Sequence, residues 1–505
     1  MAEIRRDPAA EAAREFDLVV IGGGIYGAAL LLEASYRGLR ALLLERGDFG
    51  EGTTRNCLRI VHGGLRYLQR LDLRRHRESV AERGWLLRNF PELVVPLPCL
   101  MPLYGRGARR PGVMRLALGI DELLSLDRNR GVEPARQLVG GRLNPPERVE
   151  ELFPGVRREG LRGGATWSDA FVPDLPRLLM EFLHRACEGG ASALNYVEAT
   201  GLLGEQGRVE GVRACDRTTG TDRAYRARAV VNAAGPNCRA LAGCWDRDHP
   251  ELFEPTVAWN VLLDVEPPFA RALAVAPPGA GRQTYFLIPW QGRLLAGTGH
   301  DAVAGAPSKP LVAGHQLASF LADLDEAVPD LGICEARVLR IYAGYLPGRR
   351  VGTADLATRP VILNHAASGG PSGLWSVSGV KFTTARRVAD ATLRRAFPKH
   401  RRSDAVREGQ ADGPRQRAAR TRFGPTWCPD ADGSWKDELR LVIAEESVQH
   451  LDDLMLRRTS LGDDPRTARE VATRVCEVFT WDASHRDLEL RRLERCLDDA
   501  AATSE

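Results

Sequence analysis

The chain reads as an α/β protein in three parts: a nucleotide-binding domain built on a βαβ unit, an antiparallel sheet beside it, and a helical C-terminal domain. Three observations predict this. A complete βαβ unit occupies residues 17–45, strand-like alternation runs from Ala258 to Thr298, and apolar residues recur at helical spacing beyond Trp435.

The first unit reads DLVVIGGGIYGAALLLEASYRGLRALLLE. An apolar strand leads into Gly22-x-Gly24-x-x-Gly27, and a helix opens near Ile25. Gly22 allows the tight turn, Gly24 lets backbone amides approach a pyrophosphate, and Gly27 lets the helix lie close to the sheet. The free amides and positive end of that helix then face the phosphates. Glu45 closes the second strand about 20 residues after the turn, where a carboxylate accepts hydrogen bonds from a ribose diol. An acid there disfavours a 2′-phosphate. A glycine turn alone also occurs in ordinary α/β proteins; strand, helix, second strand and acid together single out a dinucleotide site.

Composition is that of a large enzyme. With 505 residues, 44% of them hydrophobic and 27% charged, the chain buries a sizeable core in two or three domains. A net charge of +4 makes no general case for nucleic acid. Its ten cysteines include no Cys-x-x-Cys pair, and His and Cys do not cluster at metal-ligand spacing, so neither a metal site nor a disulfide framework is expected. The charged start lacks the apolar core of a signal peptide, and no apolar run reaches the ~18 residues of a membrane span. The expected location is cytoplasmic, with peripheral contact on the inner face of a membrane left open.

The remaining elements follow in order. Prolines punctuate Pro91 to Pro111, marking an excursion out of the first sheet. LPRLLMEFLHRACEGG is an amphipathic helix with a glycine stop, and ASALNYVEATGLLGEQGRVEGVRACD reads as strand, turn and strand. RARAVVNAAGPN is an apolar strand ending in a second small-residue turn at Ala234-Gly235-Pro236. Such a returning strand lets the chain pass close to a flavin dinucleotide and is not required for NAD. AWNVLLDV, TYFLIPW and GRLLAGTG alternate as antiparallel strands able to wall a substrate pocket. LWSVSGVKFTTARRVADATLRRAF repeats the first logic: strand, turn at Gly379, Lys381, and a helix opening near Thr383, with Thr383 and Thr384 as caps. PKHRRSDAVREGQADGPRQRAARTRFGP is charged and poor in apolar residues, a solvated linker.

In this order GGGIYGAA, IVHGGLRYLQ, VVNAAGPN, FLIPWQGRLLAGT, SGVKFTTARRVAD and EESVQHLDDLMLRRTSLG resemble the FAD-dependent glycerol-3-phosphate dehydrogenase family, a branch of the D-amino-acid-oxidase-like flavoproteins. The resemblance implies an FAD-binding Rossmann-type part, discontinuous around the substrate sheet within residues 1–397, a basic linker at 398–426 and a helical domain at 427–505. It implies FAD, hydride transfer from a carbinol carbon to flavin N5, and a quinone or other electron acceptor. The expected partners are a small anionic substrate and that acceptor, with no nucleic acid; a homodimer is compatible.

Carried over by position, FAD rests on Gly22, Gly24, Gly27 and Glu45, on Thr53 and Thr54 of the TTRN stretch, on Ala234 and Gly235, and on Gly379, Thr383 and Thr384. His62, Arg66, Tyr67 and Lys381 take the catalytic positions. Arg66 offers a rigid fork to an anion, Tyr67 a hydroxyl, and His62 either a base or a group that orients the flavin. Three pieces depart from the family pattern. Leu346 stands in Gly344-Tyr345-Leu346-Pro347 where an arginine is expected, Gly297-Thr298-Gly299-His300 replaces glycine-threonine-threonine-aspartate, and TTRNCLRI replaces a serine-rich stretch. Arg349 or Arg350 is a candidate to restore the charge. The alternative is a different small substrate, an amine or a 2-hydroxy acid.

Overall fold

The computed structural model describes residues 3–68, 71–105, 110–205, 207–279, 282–303, 309–350, 352–403, 423, 427–429 and 433–499. Most of the stretch read as a linker, 398–426, lies outside them. Two large sheets organise the chain.

The first sheet runs β16 (Val361–Asn364), β17 (Leu374–Ser378), β10 (Thr221–Asn232), β1 (Glu15–Ile21), β2 (Ala41–Leu44) and β7 (Ser192–Leu194). The five strands from β17 to β7 pair in parallel. Strand β1 is buried on both faces, as the unbroken apolar run DLVVI requires. Leu18 and Val20 face the helices Ile25–Ser35, Leu175–Glu188 and Ala385–Ala396. Phe16, Val19 and Ile21 face the other way, under the hairpin of β8 (Val197–Glu205) and β9 (Arg208–Asp216), which joins β10 antiparallel.

The second sheet runs β15 (Val338–Pro347), β11 (Pro255–Leu263), β14 (Arg293–Ala302), β13 (Tyr285–Trp290), β12 (Ala272–Val275), β4 (Val95–Pro102), β6 (Gly164–Phe171) and β3 (Ile60–Val61). All these neighbours pair antiparallel except β12 with β4. The alternation read between Ala258 and Thr298 is the two-faced burial of β11, β13 and β14: Val261, Leu287 and Leu294 enter one core, Leu262, Ile288 and Leu295 the other. The proline-marked excursion is β4, in the second sheet, which the chain has already entered at β3.

Beyond residue 433 the chain is helical and packs around Trp435, Leu439, Val442, Leu454, Val471, Val475 and Leu493. The long helical pattern after Trp435 is interrupted. Helix Trp435–Glu445 stops, Ser447 takes φ 54°, and the chain resumes through Leu451–Asp453 into a π-type turn, Leu454–Arg458. Buried polar contacts impose the break. Ser447 O accepts from Asn195 Nδ2, and the Glu446 carboxylate pairs with Arg177. Among the described residues no helix is long and apolar enough to cross a membrane.

Candidate active site

The glycine turn sits where β1, β2 and β10 end together. Gly22 takes φ 105°, and a Cβ there would lie 2.6 Å from Ala233 O at the end of β10. A Cβ on Gly27 would overlap Gly22 O, so helix and turn touch through backbone alone. Gly24 caps the helix without a side chain, and Thr54 Oγ1 accepts the Ile25 amide at 3.0 Å. Glu45 Oε2 accepts from Gly23 N at 2.6 Å and Oε1 from Gly47 N at 2.8 Å. Burial raises the pKa of this carboxyl, and the two amides oppose the rise. Each oxygen retains lone pairs for a ribose hydroxyl. Thr53 Oγ1 donates to Tyr345 O at 3.1 Å and fills the space left by Gly344, tying this loop to the second sheet.

The other two turns close around the same place. Ala234 N donates to Asn232 Oδ1 at 3.2 Å, and Gly235 takes φ 55°. The ring of Tyr26 fills the position that a side chain on Gly379 would occupy. Its hydroxyl donates to Lys381 O at 2.8 Å and accepts from Lys381 N at 3.2 Å. Burial pushes the Tyr26 phenol up to about 12. One side chain thus clasps the first glycine turn to the Gly379–Thr384 turn. Nothing in the motif spacing marks Tyr26, which holds a variable position of Gly-x-Gly-x-x-Gly.

The helix expected near Thr383 starts later. Phe382–Thr384 form a 3₁₀ turn and the helix proper is Ala385–Ala396. Thr384 Oγ1 donates back to Lys381 O at 3.3 Å and gives no side-chain cap, and Thr383 sits mid-turn, so the capping role read for these threonines is corrected. The first amides of that helix therefore have no acceptor in its N-cap side chain.

His62 lies just past β3 with its ring half-exposed, and Nδ1 is 3.1 Å from Asp169 Oδ2 on β6. Asp169 also accepts from Gly63 N at 2.6 Å, Arg83 Nη1 at 3.0 Å and Trp167 Nε1 at 3.2 Å. Burial alone would raise this carboxyl, but His62, Arg83 and the Gly63 amide together hold it at about 2. An ionised Asp169 fixes the His62 proton on Nδ1 and leaves Nε2 as the acceptor. Sequence reading missed Asp169; the one available signal was a lone acid in the strand-like run ATWSDAF.

Arg66 and Tyr67 ride on the single turn Leu65–Leu68. Lys381 Nζ lies 4.2 Å from the Tyr67 ring centre and Arg75 Cζ 5.8 Å from it. Lys381 reaches solvent, yet the protein wall around it withdraws water and, with repulsion from Arg66, lowers its pKa to about 8. Arg66 is exposed, and neither it nor Lys381 forms an ion pair among the described residues. The structure thus brings Arg66, Tyr67 and Lys381 together in an electropositive corner.

The departing pieces fall in the wall. Leu346 is half-buried on β15, its carbonyl accepting from Thr256 Oγ1 at 3.1 Å. His300 Nε2 lies 3.1 Å from the same Thr256 Oγ1, and burial lowers its pKa. Arg349 and Arg350 are exposed on the turn after β15, where Arg349 N donates to Asp355 O at 2.7 Å. A further arginine escaped the sequence reading. Arg55, one residue past Thr54, has Nε and Nη1 buried with no partner among the described residues. Burial, then the charges of Arg340 and Arg457, lower its pKa to about 10.

Comparison with known proteins identifies the dinucleotide. A profile of the FAD dependent oxidoreductase family matches residues 17–394. Glycerol-3-phosphate dehydrogenase 1 of Mycobacterium tuberculosis is 33% identical over 505 residues, spanning 92% of this chain and 94% of that protein. Glycerol-3-phosphate dehydrogenase of Synechocystis sp. is 29% identical over 403 residues, 77% of this chain and 71% of that protein. Among solved structures, the glycerol-3-phosphate dehydrogenase from Bacillus halodurans complexed with FAD shares the fold, with TM-score 0.72 at 23% identity over 98% of this chain and 96% of that one. FAD is the cofactor, and the glycine turn and Glu45 fit its pyrophosphate and ribose. The chain belongs to the FAD-dependent oxidoreductase family and, within it, to the glycerol-3-phosphate dehydrogenases.

Proposed function

We propose that the enzyme oxidises the secondary alcohol of sn-glycerol 3-phosphate to dihydroxyacetone phosphate, with bound FAD taking the hydride at N5 and a quinone receiving the electrons. The observation that carries this reading is the corner formed by Arg66, Tyr67 and Lys381. Two cations without carboxylate partners, one of them destabilised by the other, leave a deficit that a phosphate monoester fills. His62 Nε2 takes the hydroxyl proton, with Asp169 holding the ring in the required tautomer and stabilising the resulting imidazolium.

The test is anaerobic mixing of the yellow protein with glycerol 3-phosphate. Bleaching of the flavin band supports the assignment, and its absence sinks the substrate but not the cofactor. Arg66→Ala should raise KM at least about tenfold with flavin still bound, the value of one charge-assisted contact. The second reading, an amine or 2-hydroxy acid, rests on Leu346. Ammonia release or bleaching by such a compound alone would favour it.

A quinone acceptor places the enzyme against a membrane, and one face suits that. Helix Pro111–Leu124 packs against the Leu65–Leu68 turn and exposes Val113, Leu116 and Leu123; Leu71, Leu73 and Leu126 are exposed as well. We assign this apolar face to peripheral docking. Leu116→Glu with Leu123→Glu should abolish cosedimentation with quinone-bearing vesicles while leaving activity with a water-soluble dye intact.

A further inference from the structure

Two residues of one loop and a third remote in sequence converge behind the Ala234–Gly235 turn. Asp246 follows helix Cys238–Trp245, His249 comes next in the same loop, and His365 stands at the end of β16. One ligand atom from each lies within 4.8 Å of the other two. His249 Nε2 is 3.0 Å and His365 Nδ1 2.8 Å from Asp246 Oδ2, and the two rings meet edge-on at 5.1 Å. Both histidines are buried; the Asp246 side chain keeps 11% of its surface exposed.

We infer that this cluster is a mononuclear site for a divalent transition-metal ion of the zinc class, bound by His249 Nε2, His365 Nδ1 and the Asp246 carboxylate, with water as fourth ligand. Two imidazoles and a carboxylate are a donor set that suits such an ion.

Each outward ring nitrogen has an acceptor beside it. His249 Nδ1 lies 3.3 Å from the Glu251 carboxylate, an acceptor in place for its N–H when Nε2 is given to a metal ion. His365 Nε2 lies 2.9 Å from Ser376 Oγ, an oxygen that also accepts from Asn232 Nδ2 at 3.3 Å. Ser376 Oγ can take the Nε2 proton, which frees the Nδ1 lone pair for a metal ion. Two ring nitrogens and a carboxylate oxygen converge in a buried space, and an ion that displaces the protons they share would take all three as ligands. Metal-binding histidines characteristically donate their other N–H to a carboxylate or similar acceptor, and both rings have one in place. Gly370 supplies the room: a Cβ there would lie 2.6 Å from Asp246 Cγ.

The site connects to the cofactor turn. His365 bonds Ser376, Ser376 bonds Asn232, and Asn232 Oδ1 holds the amide of Ala234. A metal here braces the ends of β10 and β17 where they border FAD, and its role is positioning.

The experiment counts metal in the FAD-loaded full-length protein, strips it with a chelator, and titrates the stripped protein with Zn²⁺ alone by calorimetry. Expected are one Zn²⁺ per chain and a Tm that rises on binding. His249→Gln should abolish binding while flavin stoichiometry is unchanged. Glu251→Gln, on a half-exposed side chain, should weaken Zn²⁺ binding about 10- to 100-fold. Failure of the wild type to bind stoichiometrically, or equal affinity in wild type and Glu251→Gln, overturns the proposal and leaves a proton-filled His–Asp–His triad. Should His249→Gln fail to hold flavin, the Glu251→Gln comparison decides alone.

Discussion

Arg458 grips both carboxylate oxygens of Asp48, Nη1 at 2.7 Å from Oδ2 and Nη2 at 2.8 Å from Oδ1. Arg457 Nε adds a third contact at 2.6 Å, and Asn195 Nδ2 a fourth at 2.9 Å. All three charged residues are fully buried. Asp48 lies in the loop that carries Glu45 at one end and Thr53 and Thr54 at the other. The C-terminal helical region therefore holds the cofactor loop by an ionic clasp.

Replacing Asp48 with Ala leaves two buried guanidiniums short of their shared acceptor. Breaking one side of a buried pair costs about 3–5 kcal/mol. Urea unfolding should show a loss of that order, and FAD should dissociate at lower urea than the main transition. An Asp48→Ala protein as stable as wild type would show that the clasp is idle. Burial alone would raise the Asp48 carboxyl, but Arg458 and then Arg457 hold it well below the usual range. Its folded pKa is thus depressed. The stabilisation is present above the unfolded value of ~3.9 and is lost as pH falls below it.

Tyr26→Phe keeps the ring against Gly379 and removes both hydrogen bonds to the Lys381 backbone. At about 1 kcal/mol each, the two bonds set an upper effect of roughly 30-fold on FAD affinity, since the clasp preorganises two cofactor turns. Fluorescence titration of the stripped protein with FAD reads this directly. Gly379→Ala should be worse, because its methyl group must displace the ring.

Lys381 makes anion binding pH-dependent. Burial lowers its pKa to about 8 and Arg66 contributes to the lowering, so the ammonium is present below that pH and lost above it. For a phosphate substrate, kcat/KM, which reports the free enzyme, should fall as pH rises through about 8. Lys381→Arg should remove that limb. Arg66→Ala, while raising KM, should move it to higher pH by relieving the repulsion. A flat profile across this range would place Lys381 outside the binding corner.

The local chemistry of this fold was legible and its long-range pairings were not. Gly22, Gly24, Gly27 and Glu45 act within one βαβ unit, where turn geometry and strand ends follow from neighbouring residues. The alternation of β11, β13 and β14 likewise records burial on two faces. By contrast, His62 meets Asp169 across 107 residues and Tyr26 meets Lys381 across 355. No periodicity reports such contacts. Thr384 misled for a local reason: a 3₁₀ turn sends its hydroxyl back to Lys381 O. LDDLMLRR reads as an amphipathic helix, and its arginines would ordinarily face water; burial with Asp48, Asp452 and Asp453 turns them inward. The metal cluster was invisible because His365 is 119 residues from Asp246.

Asp169 is the sharpest probe of His62. Asparagine in its place preserves the shape but removes the charge that fixes the Nδ1 proton and stabilises the imidazolium formed when Nε2 accepts one. If His62 is the base, Asp169→Asn should lower kcat about 10²- to 10⁴-fold, the usual contribution of a positioned acid–base group, with KM nearly unchanged. Arg83 and Gly63 N retain a carbonyl acceptor in that variant, so the fold should survive. A primary isotope effect from substrate deuterated at the carbinol carbon separates the outcomes. Loss of kcat with the isotope effect retained places the defect in the chemical step. A variant with wild-type kcat would reduce His62 to an orienting residue.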